Sequence, residues 1–299
     1  MKFSNYIKDG FLIQTLPECI LLTKVDALKG VEGAVDDGII KKIQNKLEDS
    51  KVSQIENGFQ IKIGRMAFTV LYKSKAALPH LDLNVDLEYV NVDLEPLRKL
   101  VVLVPDHLSQ SRPLYRSVLL NKKTAVKTNG TSLFVFKFQF PTSMCISTET
   151  AKQLLKFKMC KCAEVGDKVF FTNKDATKFA QVLKTETELE YKKFFEKRPT
   201  IQIKPPLLRE LKLFARDTTV RLEVIANNLL IRGTVEGSPM TITCDAVNTG
   251  DNCSAVQYAP DILPLCECKR IGILQKYIVF SNQESKGVVS RLTPEMRGG

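Results

Sequence analysis

Apolar residues recur along this chain in two rhythms that alternate with one another. Spacings of three and four residues place side chains on one face of a helix, and a spacing of two places them on one face of a strand. Ile39, Ile40, Ile43 and Leu47 fall on one helical face, with Lys41, Lys42 and Asn45 opposite. Behind them Phe59, Ile61 and Ile63 alternate as a strand that follows Asn57-Gly58, a pair suited to the positive backbone dihedrals of a tight hairpin. Further on, Leu207, Leu208, Leu211 and Ala215 form a helical stripe opposite Arg209, Lys212 and Arg216. Val220, Leu222 and Val224 then alternate towards a turn at Asn227-Asn228.

These two segments follow one plan: a helix, then strands around an Asn- or Gly-rich turn. Three more copies are legible. One has Leu94, Leu97, Leu100 and Val101 beside Arg98 and Lys99, and another has Ala151, Leu154 and Leu155 beside Lys152 and Lys156, where Ser147 and Thr150 suit a helix start. The last has Ile262, Leu265 and Cys266 with Lys269 and Arg270 towards its end. The copies open near positions 37, 93, 147, 205 and 261, a period of about 55 residues. Such units bury their apolar faces by packing side by side. The pattern therefore predicts an α+β fold of repeated helix-plus-antiparallel-strand units, divided among more than one core over 299 residues. Residues 10–34 break the plan, with room for strands and none for the usual helix.

Lys and Arg outnumber Asp and Glu by 44 to 33. That excess favours a polyanionic partner, although charge by itself equally suits a basic surface kept for solubility. Basic residues accompany each helical stripe, and five helices with one bias point to a shared basic surface. The apolar runs are far too short to span a bilayer and the first residues have no signal-peptide core, so no membrane partner and a cytoplasmic location are expected. Eight scattered cysteines are read as reduced thiols.

Catalytic chemistry finds little support. His80 and His107 are the two histidines, and no Gly-x-Ser-x-Gly setting accompanies them. Cys160-Lys161-Cys162 and Cys266-Glu267-Cys268 have a one-residue spacing unlike zinc knuckles, so no metal is expected. Phosphate-binding and dinucleotide glycine motifs are missing too, and no cofactor and no enzyme activity are expected.

Several segments resemble the bacterial sliding clamp, the DNA polymerase III beta subunit family. Ser111-Arg112-Pro113-Leu114-Tyr115-Arg116-Ser117-Val118-Leu119-Leu120 is similar to a segment of that family's second domain. Thr128-Asn129-Gly130-Thr131-Ser132-Leu133 stands where the family has Thr-Asp-Gly-x-Arg-Leu. Thr128, Gly130 and Leu133 are kept, while Asn129 and Ser132 replace Asp and Arg, a change that suggests a shifted peptide preference. Gly287-Val288-Val289-Ser290-Arg291-Leu292 resembles the ending Val-Val-Met-Pro-Met-Arg-Leu without its Met-Pro pair. Phe170-Phe171-Thr172 and the stretch 190–199 resemble the link from second to third domain. Met1-Lys2-Phe3-Ser4 looks like a clamp start, and residues 37–79 resemble the second half of the first domain.

The resemblance implies a DNA-clamp fold in three domains, 1–87, 88–198 and 199–299, with the first unit of the first domain eroded. It implies a ring whose helices face duplex DNA without reading sequence, and Lys41, Lys42, Lys99, Lys152, Lys156, Arg209, Lys212 and Arg216 are the candidates for that surface. Thr128, Gly130, Leu133, Tyr191, Val288, Val289 and Leu292 would line the pocket for short clamp-binding peptides of a DNA polymerase and a clamp loader. Phe68 and Phe214 would lie at a head-to-tail homodimer interface. The reduced first domain motivates an alternative: a clamp-fold scaffold that recruits transcription or repair factors without encircling DNA. It also suits a phage or mobile-element origin.

Overall fold

The computed structural model describes residues 4–292 except 37, 40–46, 48–49, 73–86, 107–111, 158, 186, 188, 197–198, 215–217 and 248–252. Lys41, Lys42 and Arg216 of the basic candidates, together with the Met1–Phe3 start, lie outside the described residues. Contacts divide the chain into two units, 1–93 with 153–185, and 94–152 with 186–299.

The first unit opens on three antiparallel strands, β1 (Ser4–Lys8), β2 (Phe11–Thr15) and β3 (Cys19–Lys24). Asp9 and Gly10, with φ of 51° and 80°, make the two-residue turn between the first pair, the backbone geometry that matches strand twist. One turn of 3-10 helix, Asp26–Leu28, then stands where a helix was not expected to fit, and β4 (Gly33–Val35) returns to pair with β1. A separate sheet holds β5 (Lys51–Ile55), β6 (Gly58–Ile63) and β7 (Met66–Leu71). One face of it supplies Phe59, Ile61 and Val70 to a core shared with Ile7, Leu12 and Leu28. The hairpin at residues 56–57 corrects an expectation, since neither Asn57 nor Gly58 has positive φ. Gly58 is needed for closeness instead: a Cβ there would collide with the Val70 carbonyl oxygen.

Four further strands complete the eight-stranded sheet of this unit: β8 (Val90–Val92), β13 (Cys160–Val165), β14 (Lys168–Asn173) and β15 (Lys178–Leu183). The junction is β15 against β3, with Phe179 opposite Leu22.

The second unit is built on one twelve-stranded sheet. Its first part follows helix α1 (Glu95–Leu103) and contains β9 (Ser117–Asn121), β10 (Thr124–Thr128), β11 (Ser132–Lys137) and β12 (Met144–Ser147). Leu97, Leu100 and Leu103 bury the α1 stripe. Helix α2 (Thr148–Leu154) starts where Ser147 Oγ accepts from the Thr150 amide at 3.1 Å, the cap its sequence suggests. The second part holds β16 (Ile201–Ile203), helix α3 (Leu208–Leu211), β17 (Thr219–Ile225), β18 (Asn228–Val235), β19 (Ser238–Val247), β20 (Cys253–Tyr258), β21 (Arg270–Ile273), β22 (Tyr277–Ser281) and β23 (Ser285–Ser290).

Two helical expectations are corrected here. The stripe from Leu207 condenses to the four residues of α3, with Leu207 half-exposed and outside it as the extended N-cap, because Glu210 Oε2 accepts from the Leu207 amide at 2.9 Å and fixes the start there. The last copy is a 3-10 helix, Ala259–Glu267, since Pro264 inside it has no amide to donate to an α-helical ladder.

The pairing follows a rule. Each complete copy is a leading strand, a helical segment and a three-strand meander, and leading strands are exchanged: β8 pairs with β13 while β12 pairs with β9, and β16 pairs with β21 while β20 pairs with β17. Third strands meet third strands, β3 with β15 and β11 with β23.

Candidate functional site

The segment Thr128-Asn129-Gly130-Thr131-Ser132-Leu133 closes the β10–β11 hairpin and is organised around the Asn129 side chain. Its Oδ1 accepts from the Thr131 amide at 3.1 Å, the Ser132 amide at 2.8 Å and the Ser132 hydroxyl at 2.9 Å. Its Nδ2 donates to the Pro105 carbonyl and to Asp261 Oδ1. Gly130 has a φ of 95°, which L side chains rarely adopt, and it is the exposed residue of the loop. Thr128 is buried, its hydroxyl donating to the Ser132 carbonyl at 2.8 Å. Asn129 and Ser132, the two departures from the clamp signature, thus spend their polar atoms inside the protein.

Leu133 enters β11 directly opposite Val288 of β23, and Ser132 faces Val289. Leu133, Val288, Leu119, Val126, Val135 and Val279 form one buried apolar cluster. Phe134 can cross over Gly287 because a Cβ at that position would meet its ring. Leu292 is buried as well, its amide donating to the Val256 carbonyl at 3.2 Å. Leu189, Tyr191, Phe194 and Phe195, from the segment ahead of β16, pack on the cluster. Tyr191 is therefore brought to the cluster that contains Leu133 and Val288, with its own hydroxyl 3.4 Å from Thr124 Oγ1.

The basic candidates separate into distinct environments. Lys99 Nζ is 2.8 Å from Glu267 Oε2, a hydrogen bond that holds its ammonium pKa above the usual value. Lys156 is exposed and near Gln153, and Arg209 is exposed on α3. Lys152 and Lys212 rim a cavity of about 730 Å³ whose walls include Val101, Leu211, Phe214 and Leu263.

Beside that cavity lies a charge that sequence patterning missed. Lys127 is fully buried, donating to Asp106 Oδ1 at 2.5 Å and to Thr148 Oγ1 at 2.8 Å. Burial pushes its pKa down, and the Asp106 carboxylate opposes that shift. A lysine between Val126 and Thr128, with Phe134 and Val118 as cross-strand neighbours, was the available signal.

Phe68 is 39% exposed on β7, which pairs only with β6 among the described residues. Phe214 is buried, its ring filling the space beside Gly233, while Leu213 next to it is 53% exposed. Cys160, Cys162 and Cys268 are buried, and Cys266 is half-buried. No helix among the described residues is long and apolar enough to cross a membrane.

Strand exchange, third-strand pairing and the helical segments together define the sliding-clamp fold. Three solved structures share it over nearly the whole chain: a Eubacterium rectale chain assigned as a DNA polymerase III beta subunit (TM-score 0.70, 12% identity, covering 97% of this chain and 91% of that one), the DNA polymerase III subunit beta of Pseudomonas aeruginosa (0.67, 14%, 98% and 92%), and the DNA polymerase sliding clamp of Caulobacter crescentus (0.68, 13%, 98% and 91%). At these identities the likeness is one of fold. No sequence-family model matches the chain, and no curated protein matches it.

Proposed function

We propose that this chain is a sliding clamp, a non-enzymatic subunit without cofactor whose copies close head to tail around duplex DNA and tether a polymerase. The observation that carries this reading is the exchange of leading strands between paired copies, in a chain that has the clamp fold over 97–98% of its length. The exchange supports domains at 88–198 and 199–299, with 1–87 as a third. Exposed Lys152, Lys156, Arg209 and Lys212 would meet phosphates without reading bases, as sliding requires. The Leu133–Val288 cluster would receive peptides of a polymerase and a loader in the cytoplasm of a bacterial or phage-infected cell.

Ring closure has a specific candidate seam. The third strands β3, β15, β11 and β23 are mutually paired, which leaves β7 and β19. Among the described residues the outer edge of β19 pairs only at Ala246 and Val247, with β16. Pairing of β7 with the β19 of the next copy would extend the same rule between subunits.

Sedimentation across a concentration series, joined to retention on circular against linear DNA, tests the proposal. A species of twice 33.7 kDa that stays on circular DNA and runs off linear ends is expected. A persistent monomer overturns the self-assembled ring. It would favour the scaffold reading, whose supporting observation is a first repeat with a single 3-10 turn in place of a helix.

A further inference from the structure

We propose that residues 189–195 are a built-in occupant of the partner site: an aromatic strap that covers the Leu133–Val288 cluster in the free protein and that a partner peptide displaces with side chains of the same kind. The proposal rests on reading that cluster as the partner site.

Three observations carry it. The strap puts Leu189, Tyr191, Phe194 and Phe195 on the cluster, so a surface that would otherwise expose aliphatic side chains from β11 and β23 is buried by a connecting segment. The strap is held by side chains. Tyr191 Oη lies 3.4 Å from Thr124 Oγ1, the Phe194 ring meets Tyr277 edge-on at 6.0 Å, and Lys286 Nζ sits 4.4 Å above the Phe195 ring. No backbone hydrogen bond joins residues 189–195 to the strands they cover among the described residues, so lifting them leaves the sheet ladder intact. Finally, the strap is seated beside open space: a cavity of about 770 Å³ lies between Leu189 and Tyr191 on one side and Leu119, Asn121 and Thr124 on the other. This cavity is open to solvent along Lys122, Lys123, Lys192 and Lys193 and offers a peptide a place to enter.

What fits the cluster is defined by what already lies on it. The strap turns through a 3-10 helix at Lys192–Phe195, so a peptide with an aliphatic residue followed by aromatic residues at the strap's spacing, able to form the same turn, would exchange like for like. The competition lowers apparent affinity by the fraction of time the strap is seated.

The test uses the whole chain and a fluorescein-labelled synthetic peptide of residues 189–195, Leu-Glu-Tyr-Lys-Lys-Phe-Phe. The double variant Phe194→Ala, Phe195→Ala is expected to bind this peptide at least tenfold more tightly than the wild type, with thermal unfolding confirming that it is folded. Equal affinity for the two proteins, or no binding to the folded variant, overturns the proposal. Should the variant not fold, hydrogen exchange on the wild type decides. Amides of 189–195 are expected to exchange through a local opening well ahead of those of β11 and β23, and protection equal to those strands overturns the strap. Neither readout involves DNA or ring closure, so the strap and the clamp reading fail separately.

Discussion

Asn129 Nδ2 donates to Asp261 Oδ1 across 3.2 Å, and both side chains are closed to solvent. The bond ties the β10–β11 loop to the start of the 3-10 helix at Ala259–Glu267. Asp261 also accepts from the Thr131 hydroxyl at 3.1 and 3.0 Å, so one carboxylate gathers two loop side chains. An aspartate at 129 would set two carboxylates against each other without water. Asn129→Asp is therefore expected to cost about 2–3 kcal/mol at pH 7, from the lost donor and the repulsion. The repelled carboxylates would have raised pKa values, so the variant's deficit should be largest above those values and shrink as acid protonates one of them. Denaturant unfolding at pH 7 and pH 5 checks this, and a deficit that does not shrink would refute the account.

Removing either partner of the Lys127–Asp106 pair should have unequal effects. Lys127 is fully buried, whereas the Asp106 side chain is 26% exposed and can reach water when left alone. Asp106→Asn strands an ammonium in the interior and is expected to cost about 3 kcal/mol, while Lys127→Met should cost nearer to about 1 kcal/mol. Unfolding free energies of the two variants give the comparison, and the reverse order would show that the carboxylate is the more dependent partner.

Much of this fold is legible in residue spacing. Leu97 with Leu100, and Ala151 with Leu154, are buried as their helical period demands, and the alternation at Val220, Leu222 and Val224 becomes β17. Local rules failed where tertiary context or proline decided. Pro264 turned an α pattern into 3-10 helix, and Gly58 is required by the approach of Val70 rather than by a turn. At the candidate site, the meeting of Leu133 and Val288 joins distant strands, and no local period encodes that register. The strap was hidden for a related reason: Phe194 and Phe195 read as linker residues until their packing on the cluster is known. Lys127 violates the binary pattern outright, and only its partners Asp106 and Thr148 explain its tolerance.

The basic residues should not contribute equally to DNA association. Lys152 and Lys212 are exposed, whereas the Lys99 charge is matched by Glu267. Replacing Lys152 and Lys212 with Ala is expected to reduce the slope of log affinity against log salt by about 0.9 for each phosphate that is no longer neutralised. Lys99→Ala should leave the slope almost unchanged. Affinity for duplex DNA measured at several salt concentrations separates the three, and a full-size decrease at Lys99 would reassign the surface.

The buried thiols predict alkaline weakening. Burial pushes Cys160 and Cys162 up to about 12, and Cys244 and Cys266 up to about 11, from an unfolded value of 9.0, with Lys99 and Lys212 opposing the shift at Cys266. A raised folded pKa gives stability that is complete below pH 9 and is lost as pH rises towards the folded value. The loss is about 1.4 kcal/mol per pH unit per thiol within that window. Urea midpoints at pH 8, 9.5 and 10.5 should fall less steeply for Cys160→Ala, Cys162→Ala than for the wild type, and parallel declines would exclude these thiols as the cause.

The edge of β7 provides the sharpest test of ring closure. Met66 and Phe68 on one face and Leu71 on the other are 53%, 39% and 62% exposed, on a strand whose outer backbone groups face no other strand among the described residues. Such an edge invites pairing with another chain, and a charge placed in it blocks that pairing. Phe68→Asp should weaken self-association by about 2 kcal/mol or more, since a carboxylate would be desolvated in the seam. The same change should alter the stability of the isolated subunit by no more than about 0.5 kcal/mol, because Phe68 is already in contact with water. Phe59→Asp, on the same face as Phe68 but fully buried in the core, should instead unfold the first unit. Sedimentation paired with thermal unfolding distinguishes these outcomes. A Phe68→Asp protein that remains dimeric would place the seam on another edge, whereas a folded monomer that no longer stays on circular DNA would tie β7 to encirclement.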